Sequence, residues 1–174
     1  ATEQVCSYID QARDIACSVY ALTGGEPLIH PGFTTIVDHI LDTTSAQCAI
    51  LTNGLLVDRY LKDDWDRERI SLQISIDGTP LLHDAIRGAG TFLALTEKLG
   101  WLKEHGWHVT LSWCVTRDNL QALPWLIDFA HSMAITTVHF MWHVVRGRGS
   151  DQQHPTPDTM MGPLTDAIQR AEQY

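Results

Sequence analysis

The chain has 174 residues, 44% of them hydrophobic, and a formal net charge of -9, with 21 Asp and Glu against 12 Lys and Arg. That size and apolar share suit one domain with a sizeable core, and the acidic balance excludes a general nucleic-acid or anionic-membrane partner. No apolar run approaches the roughly 20 residues needed to span a bilayer, and the N-terminus lacks a basic-then-apolar signal pattern, so a cytoplasmic location is expected.

Val5, Ile9, Ala12 and Ala16 recur at helical spacing, and residues 18–22, SVYAL, then read as a short buried strand. Ile36, Val37, Ile40 and Leu41 form the next helical stripe, before a strand from Cys48 that ends at Asn53-Gly54. A third strand begins at Ile70; Phe92, Leu95, Leu99 and Leu102 follow as a helical face, and a fourth strand is expected from Trp107. Leu126, Ile127 and Ala130 belong to a helix that Pro124 opens as its first residue. The last clear strand starts at Thr136, and a final helix is expected from about Pro157 toward Tyr174. Between them, RGRGSDQQHPTPD at 146–158 reads as an exposed loop.

Strands alternating with helices imply right-handed βαβ units and a parallel sheet, either doubly wound or closed toward a barrel. Three strands alternate cleanly. Leu72, Ile74 and Ile76 oppose Gln73, Ser75 and Asp77; Leu111, Trp113 and Val115 oppose Ser112, Cys114 and Thr116; Val138, Phe140 and Trp142 oppose His139, Met141 and His143. With a period of two each set shares a face. Apolar faces under outer helices, Trp113 and Trp142 among them, leave the polar faces to line an interior open to a polar ligand. An antiparallel sheet with one wet face is the alternative, which the intervening helices disfavour.

Binding groups in parallel α/β folds gather at the C-terminal ends of strands, where four motifs fall: TGGEP, TNG, SIDG and RGRG. In TGGEP, Gly24 and Gly25 let a ligand approach the main chain, Glu26 offers an acceptor to an ammonium group, and Pro27 stiffens the exit. The same four residues also make an ordinary tight connection. Asp77-Gly78 is either a strand-ending turn or a ligand contact, and Arg87 either binds a ligand or forms a surface ion pair with Asp84 or another acid. His139 and His143, four apart on a strand, lie roughly 13 Å from each other and cannot chelate one metal; they are candidates to face a substrate. His30 and His83 read as solvated loop histidines. Cys6, Cys17, Cys48 and Cys114 show no CxxC spacing and read as buried free thiols.

LTGGEPLIHPGF, ILTNGLLV, QISIDG, HDAIRGAGTF, VTRDN and GRG, in this order from about Tyr20 to Gly149, resemble the radical S-adenosylmethionine superfamily, and within it the peptide-maturing enzymes that often carry a SPASM or twitch extension. The resemblance implies a partial (β/α)6 TIM-like barrel that holds S-adenosylmethionine. Gly24, Gly25, Glu26 and Pro27 would serve the methionine amino group, Ser75 and Arg87 the carboxylate or ribose, and Asn53 would lie nearby. It implies reductive cleavage of S-adenosylmethionine to a 5′-deoxyadenosyl radical that abstracts hydrogen, a peptide or protein substrate, and an electron donor such as flavodoxin or ferredoxin.

One departure stands out. The CxxxCxxC loop that holds the family's 4Fe-4S cluster is missing, and Cys6 and Cys17, eleven apart, cannot replace it. The expectation is therefore a single truncated barrel domain over residues 1–174, covering about strands two to six and inactive alone, with the cluster ligands in a parent protein. The strand at 18–22 would then present an exposed sheet edge. A cluster-free nucleotide-binding or interaction module and, more remotely, a histidine-dependent metal hydrolase are the other readings.

Overall fold

The computed structural model describes residues 1–143 and 153–174. Five strands alternate with seven helices among the described residues: α1 (Thr2–Asp14), β1 (Val19–Leu22), α2 (Phe33–Thr43), β2 (Gln47–Thr52), α3 (Val57–Tyr60), β3 (Ile70–Ser75), α4 (Pro80–Arg87), α5 (Thr91–Glu104), β4 (Val109–Val115), α6 (Leu123–Ser132), β5 (Thr137–Trp142) and α7 (Pro157–Ala171). The chain forms two compact units, one of Ala1–Ile74 with Lys98–Val109, the other of Ser75–Glu97 with Thr110–Tyr174. Among the described residues no helix is long and apolar enough to cross a membrane.

In the first unit β1, β2 and β3 pair in parallel, with Val19 opposite Gln47 and Cys48 opposite Ile70. Parallel pairing demands a crossover between strands, and α2 supplies the one from β1 to β2. Its Phe33, Ile36, Val37 and Ile40, spaced for one helical face, are buried. On the other side α2 meets α1, where Asp10 Oδ1 lies 3.0 Å from His39 Nε2. The C-terminal carbonyls of α2 have no partner in their own helix; the Arg69 guanidinium donates to Leu41 O at 2.8 Å, Thr44 O at 2.8 Å and Ala46 O at 2.8 Å.

In the second unit β4 and β5 pair in parallel, Thr110 opposite Thr137 and Val115 opposite Trp142. These ladders bear out the parallel reading over the antiparallel one. Alternation holds where helices cover the strand: Leu72, Ile74, Ile76, Leu111, Trp113 and Val115 are all buried. Trp113 packs edge-on against Trp125, which stacks on Phe129 at 5.1 Å. Trp142 departs from expectation, 41% exposed rather than covered. It sits at the very end of β5, and α7 packs mainly on α6.

The predicted helices are present with small shifts. Pro124 is the second residue of α6, not the first. Ala16 lies beyond α1 instead of within its stripe, because the chain leaves the helix there at φ 58°. Ala134 has the same φ after α6. At both ends the residue after alanine donates back into the last turn, Cys17 N to Ala12 O at 3.0 Å and Ile135 N to Ala130 O at 2.8 Å, the bonding of a left-handed helix terminator. Of the four cysteines only Cys48 is buried; the others are partly accessible, and burial pushes the Cys48 thiol up to about 12.

An L side chain in the left-handed region costs roughly 1 kcal/mol that glycine avoids. Ala16→Gly and Ala134→Gly should each therefore stabilise the chain by about 0.5 kcal/mol or more after the added flexibility of the unfolded glycine. The midpoints of urea unfolding check this.

Candidate functional site

Chemistry-bearing residues gather at the C-terminal ends of strands in each unit. In the first unit the chain leaves β1 through Gly24, at φ 146°, a value L side chains rarely adopt. A Cβ built at Gly24 or Gly25 would meet nothing within 4 Å. Internal packing therefore does not require the missing side chain at Gly25, and both residues are exposed.

Glu26 lies at the centre of this end. Its Oε1 accepts from Leu28 N at 3.1 Å and Thr52 Oγ1 at 2.6 Å, and its Oε2 from Asn53 N at 2.8 Å. The first bond caps the short 3-10 turn that Pro27 opens; the other two fasten the end of β2 to the loop after β1. Thr52, 3% exposed, also accepts from Gly54 N at 3.1 Å, while Asn53 Oδ1 accepts from Leu55 N at 2.9 Å. TGGEP and TNG thus form one clasp. A carboxylate offers about four lone-pair sites, so three are engaged within the protein itself.

In the second unit Ser75 closes β3, half-buried. Asp77 follows at 8% exposure, with its carboxylate on Arg87 Nε. The partner of Arg87 is thus Asp77, not Asp84. Asp84 is engaged elsewhere: it accepts from Phe92 N at 2.8 Å and Gly90 N at 2.7 Å, and these donors hold its carboxyl below the usual carboxylate value. Gly78, at φ 153°, meets both demands that single out glycine, since a Cβ would also lie 2.6 Å from Leu82 Cβ.

Two further residues in this cluster were not singled out as ligands by sequence. His83 was expected as a solvated loop residue; it lies in α4 at 2% exposure, and its Nδ1 accepts from Asp77 N at 3.3 Å. The signal was Pro80, which opens α4 in the position where proline starts helices. Asn119, from VTRDN, is 2% exposed. Its Nδ2 donates to Asp77 O at 3.1 Å and Cys114 O at 2.9 Å, and its Oδ1 accepts from Thr116 N at 2.8 Å.

His139, on β5, is exposed, and His143, just past its end, is half-buried. The main chain of His143 continues the ladder, its N donating to Val115 O at 3.1 Å, while its carbonyl accepts from His154 Nδ1 at 2.8 Å. Among the described residues the buried His143 Nδ1 has no hydrogen-bond partner. The RGRG motif lies outside the described residues. Among those described, no group of three or more His, Cys, Asp or Glu could hold a metal ion, so the metal-hydrolase reading has no ligand set there.

Comparison with known proteins fits this geometry. The family model described as the Radical SAM superfamily matches residues 2–130. Among curated proteins, the chain is 27% identical over 160 residues to the antilisterial bacteriocin subtilosin biosynthesis protein AlbA of Bacillus subtilis, covering 90% of this chain and 36% of AlbA. It is 27% identical over 151 residues to the Fe-coproporphyrin III synthase of Methanosarcina barkeri, covering 86% of this chain and 38% of that enzyme. The chain thus spans well under half the length of either relative. Among solved structures, Streptococcus suis SuiB bound to S-adenosylmethionine superposes with a TM-score of 0.81 at 14% identity, covering 98% of this chain and 41% of SuiB. The fold is the partial (β/α) barrel type of these enzymes.

The Glu26 clasp stabilises the free chain without any ligand. Glu26→Ala removes three charge-assisted bonds and should lower stability by about 2 kcal/mol, read as a drop in melting temperature of the free chain. A residue serving only a ligand would leave that temperature unchanged.

Proposed function

This chain belongs to the radical SAM superfamily, and on that premise we propose that it binds S-adenosylmethionine and serves hydrogen abstraction from a peptide or protein substrate. Arg87 carries the reading. Asp77 engages its Nε, its Nη groups donate to no described residue, and a planar guanidinium suits a carboxylate through two parallel bonds. Arg87 takes the methionine carboxylate.

The ammonium end goes to the main-chain carbonyls of Gly24 and Gly25, where open space replaces side chains. Glu26 fixes that loop, with one lone-pair site left for the ammonium, and Pro27 removes a competing donor. Ser75 and the Asn53 amide serve the ribose. S-adenosylmethionine, when bound and reduced, supplies the hydrogen-abstracting chemistry of the superfamily; the residues named here bind and orient it. The chain's four cysteines lack the spacing of a cluster loop, so they do not fit the family's cluster. A flavodoxin or ferredoxin is the matching class of reductant.

A peptide substrate is supported by two relatives: AlbA acts in bacteriocin biosynthesis, and SuiB has been solved bound to the precursor peptide SuiA. His139 and His143 are the proposed substrate-facing residues.

Calorimetric titration with S-adenosylmethionine tests the proposal. Saturable binding is expected, and Arg87→Met should weaken it about tenfold or more, the loss of one charge-assisted bond pair. Unchanged affinity in Arg87→Met would remove Arg87 from the site. Binding by a complete protein that forms no 5′-deoxyadenosine with iron, sulfide and a reductant supplied would favour the cluster-free module.

A further inference from the structure

Asp77 has three hydrogen-bonding groups and all three are engaged by side chains. Its N–H donates to His83 Nδ1 at 3.3 Å, its C=O accepts from Asn119 Nδ2 at 3.1 Å, and its carboxylate holds Arg87 Nε. Asn119 is further tied to Cys114 O and Thr116 N, so that side of Asp77 rests on the strand end of β4. On the other side stands one imidazole. Its ring packs edge-on against Phe92, 5.8 Å between centroids, and Phe92 lies against Trp125 and Phe129.

A main-chain N–H can only donate, so Nδ1 must carry a lone pair and the neutral ring must carry its proton on Nε2. Protonation would place a hydrogen on Nδ1, facing another hydrogen. The Asp77 backbone would then lose its hold on that side, and with it the aim of Arg87.

We propose that neutral His83 is a positioning residue that fixes Asp77, and through it Arg87, so that protonation of His83 weakens binding of the ligand carboxylate. This rests on the reading that Arg87 meets that carboxylate. The charged groups facing His83 are Asp77 from the end of β3 and Asp84 and Arg87 from its own helix; α5 contributes the apolar Phe92. Burial, aided by Arg87 and opposed by Asp77 and Asp84, holds the imidazole below its ordinary value of 6.5. The sign follows. Above 6.5 the ring is neutral folded and unfolded, and its contribution is complete; as pH falls below 6.5 the unfolded chain takes up the proton first, so stability declines toward the lower folded value.

Two measurements test this in the full chain. Nitrogen-15 NMR of the free protein should show His83 as the Nε2-protonated tautomer with a titration midpoint below 6.5; an Nδ1-protonated ring, or an ordinary midpoint, overturns the proposal whatever Arg87 does. Affinity for S-adenosylmethionine should fall on acidification by at most about tenfold per pH unit. His83→Ala should weaken binding several-fold at neutral pH. His83→Asn keeps an acceptor near the Nδ1 position without a titrating group, and should recover most of the affinity and flatten the pH profile. An acid loss as steep in His83→Asn as in the parent overturns the proposal, while loss of affinity in Arg87→Met keeps the underlying ligand reading intact.

Discussion

The end of β3 depends on Asp77, an acidic residue left only 8% exposed to solvent. Burying a carboxylate is costly unless it is paired and its neighbouring main chain is bonded. Asp77 meets both conditions through Arg87, His83 and Asn119, which are drawn from two different segments after two different strands. Removing one partner leaves a buried group unsatisfied, so the cluster is held as a unit and cannot easily drift. A rigid carboxylate in turn makes a rigid guanidinium, the property a binding arginine needs.

The first unit solves a similar problem in a similar way. There Glu26 draws donors from its own turn and from the end of β2. In both units a carboxylate at a strand end arranges main chain and side chain rather than standing free in solvent. Parallel strands put all such ends on one side of their sheet, which is why short loops can carry a site.

Much of this was legible in the sequence. Strands were visible because Leu72, Ile74 and Ile76, or Leu111, Trp113 and Val115, repeat with the period of two that burial under helices produces. TGGEP, TNG and SIDG were visible because glycine and proline punctuate strand ends. Three things were hidden. Glu26 as a clasp depends on Thr52, 26 residues away, and periodicity carries no information about side-chain bonds to distant main chain. His83 was misplaced because α4 has only eight residues, too short for a repeating stripe, and Pro80 was its one marker. Trp142 was placed under a helix by alternation alone, which tells faces apart but not whether anything covers them.

The central claim is that these strand ends recognise S-adenosylmethionine, and chemical-shift mapping of the chain during titration tests it most directly. Binding at these ends should shift the amides of Gly24, Gly25 and Asp77 and the Arg87 Nε–H together, saturating at one ligand concentration. Shifts confined to other residues, with these four signals unmoved at saturation, would contradict it.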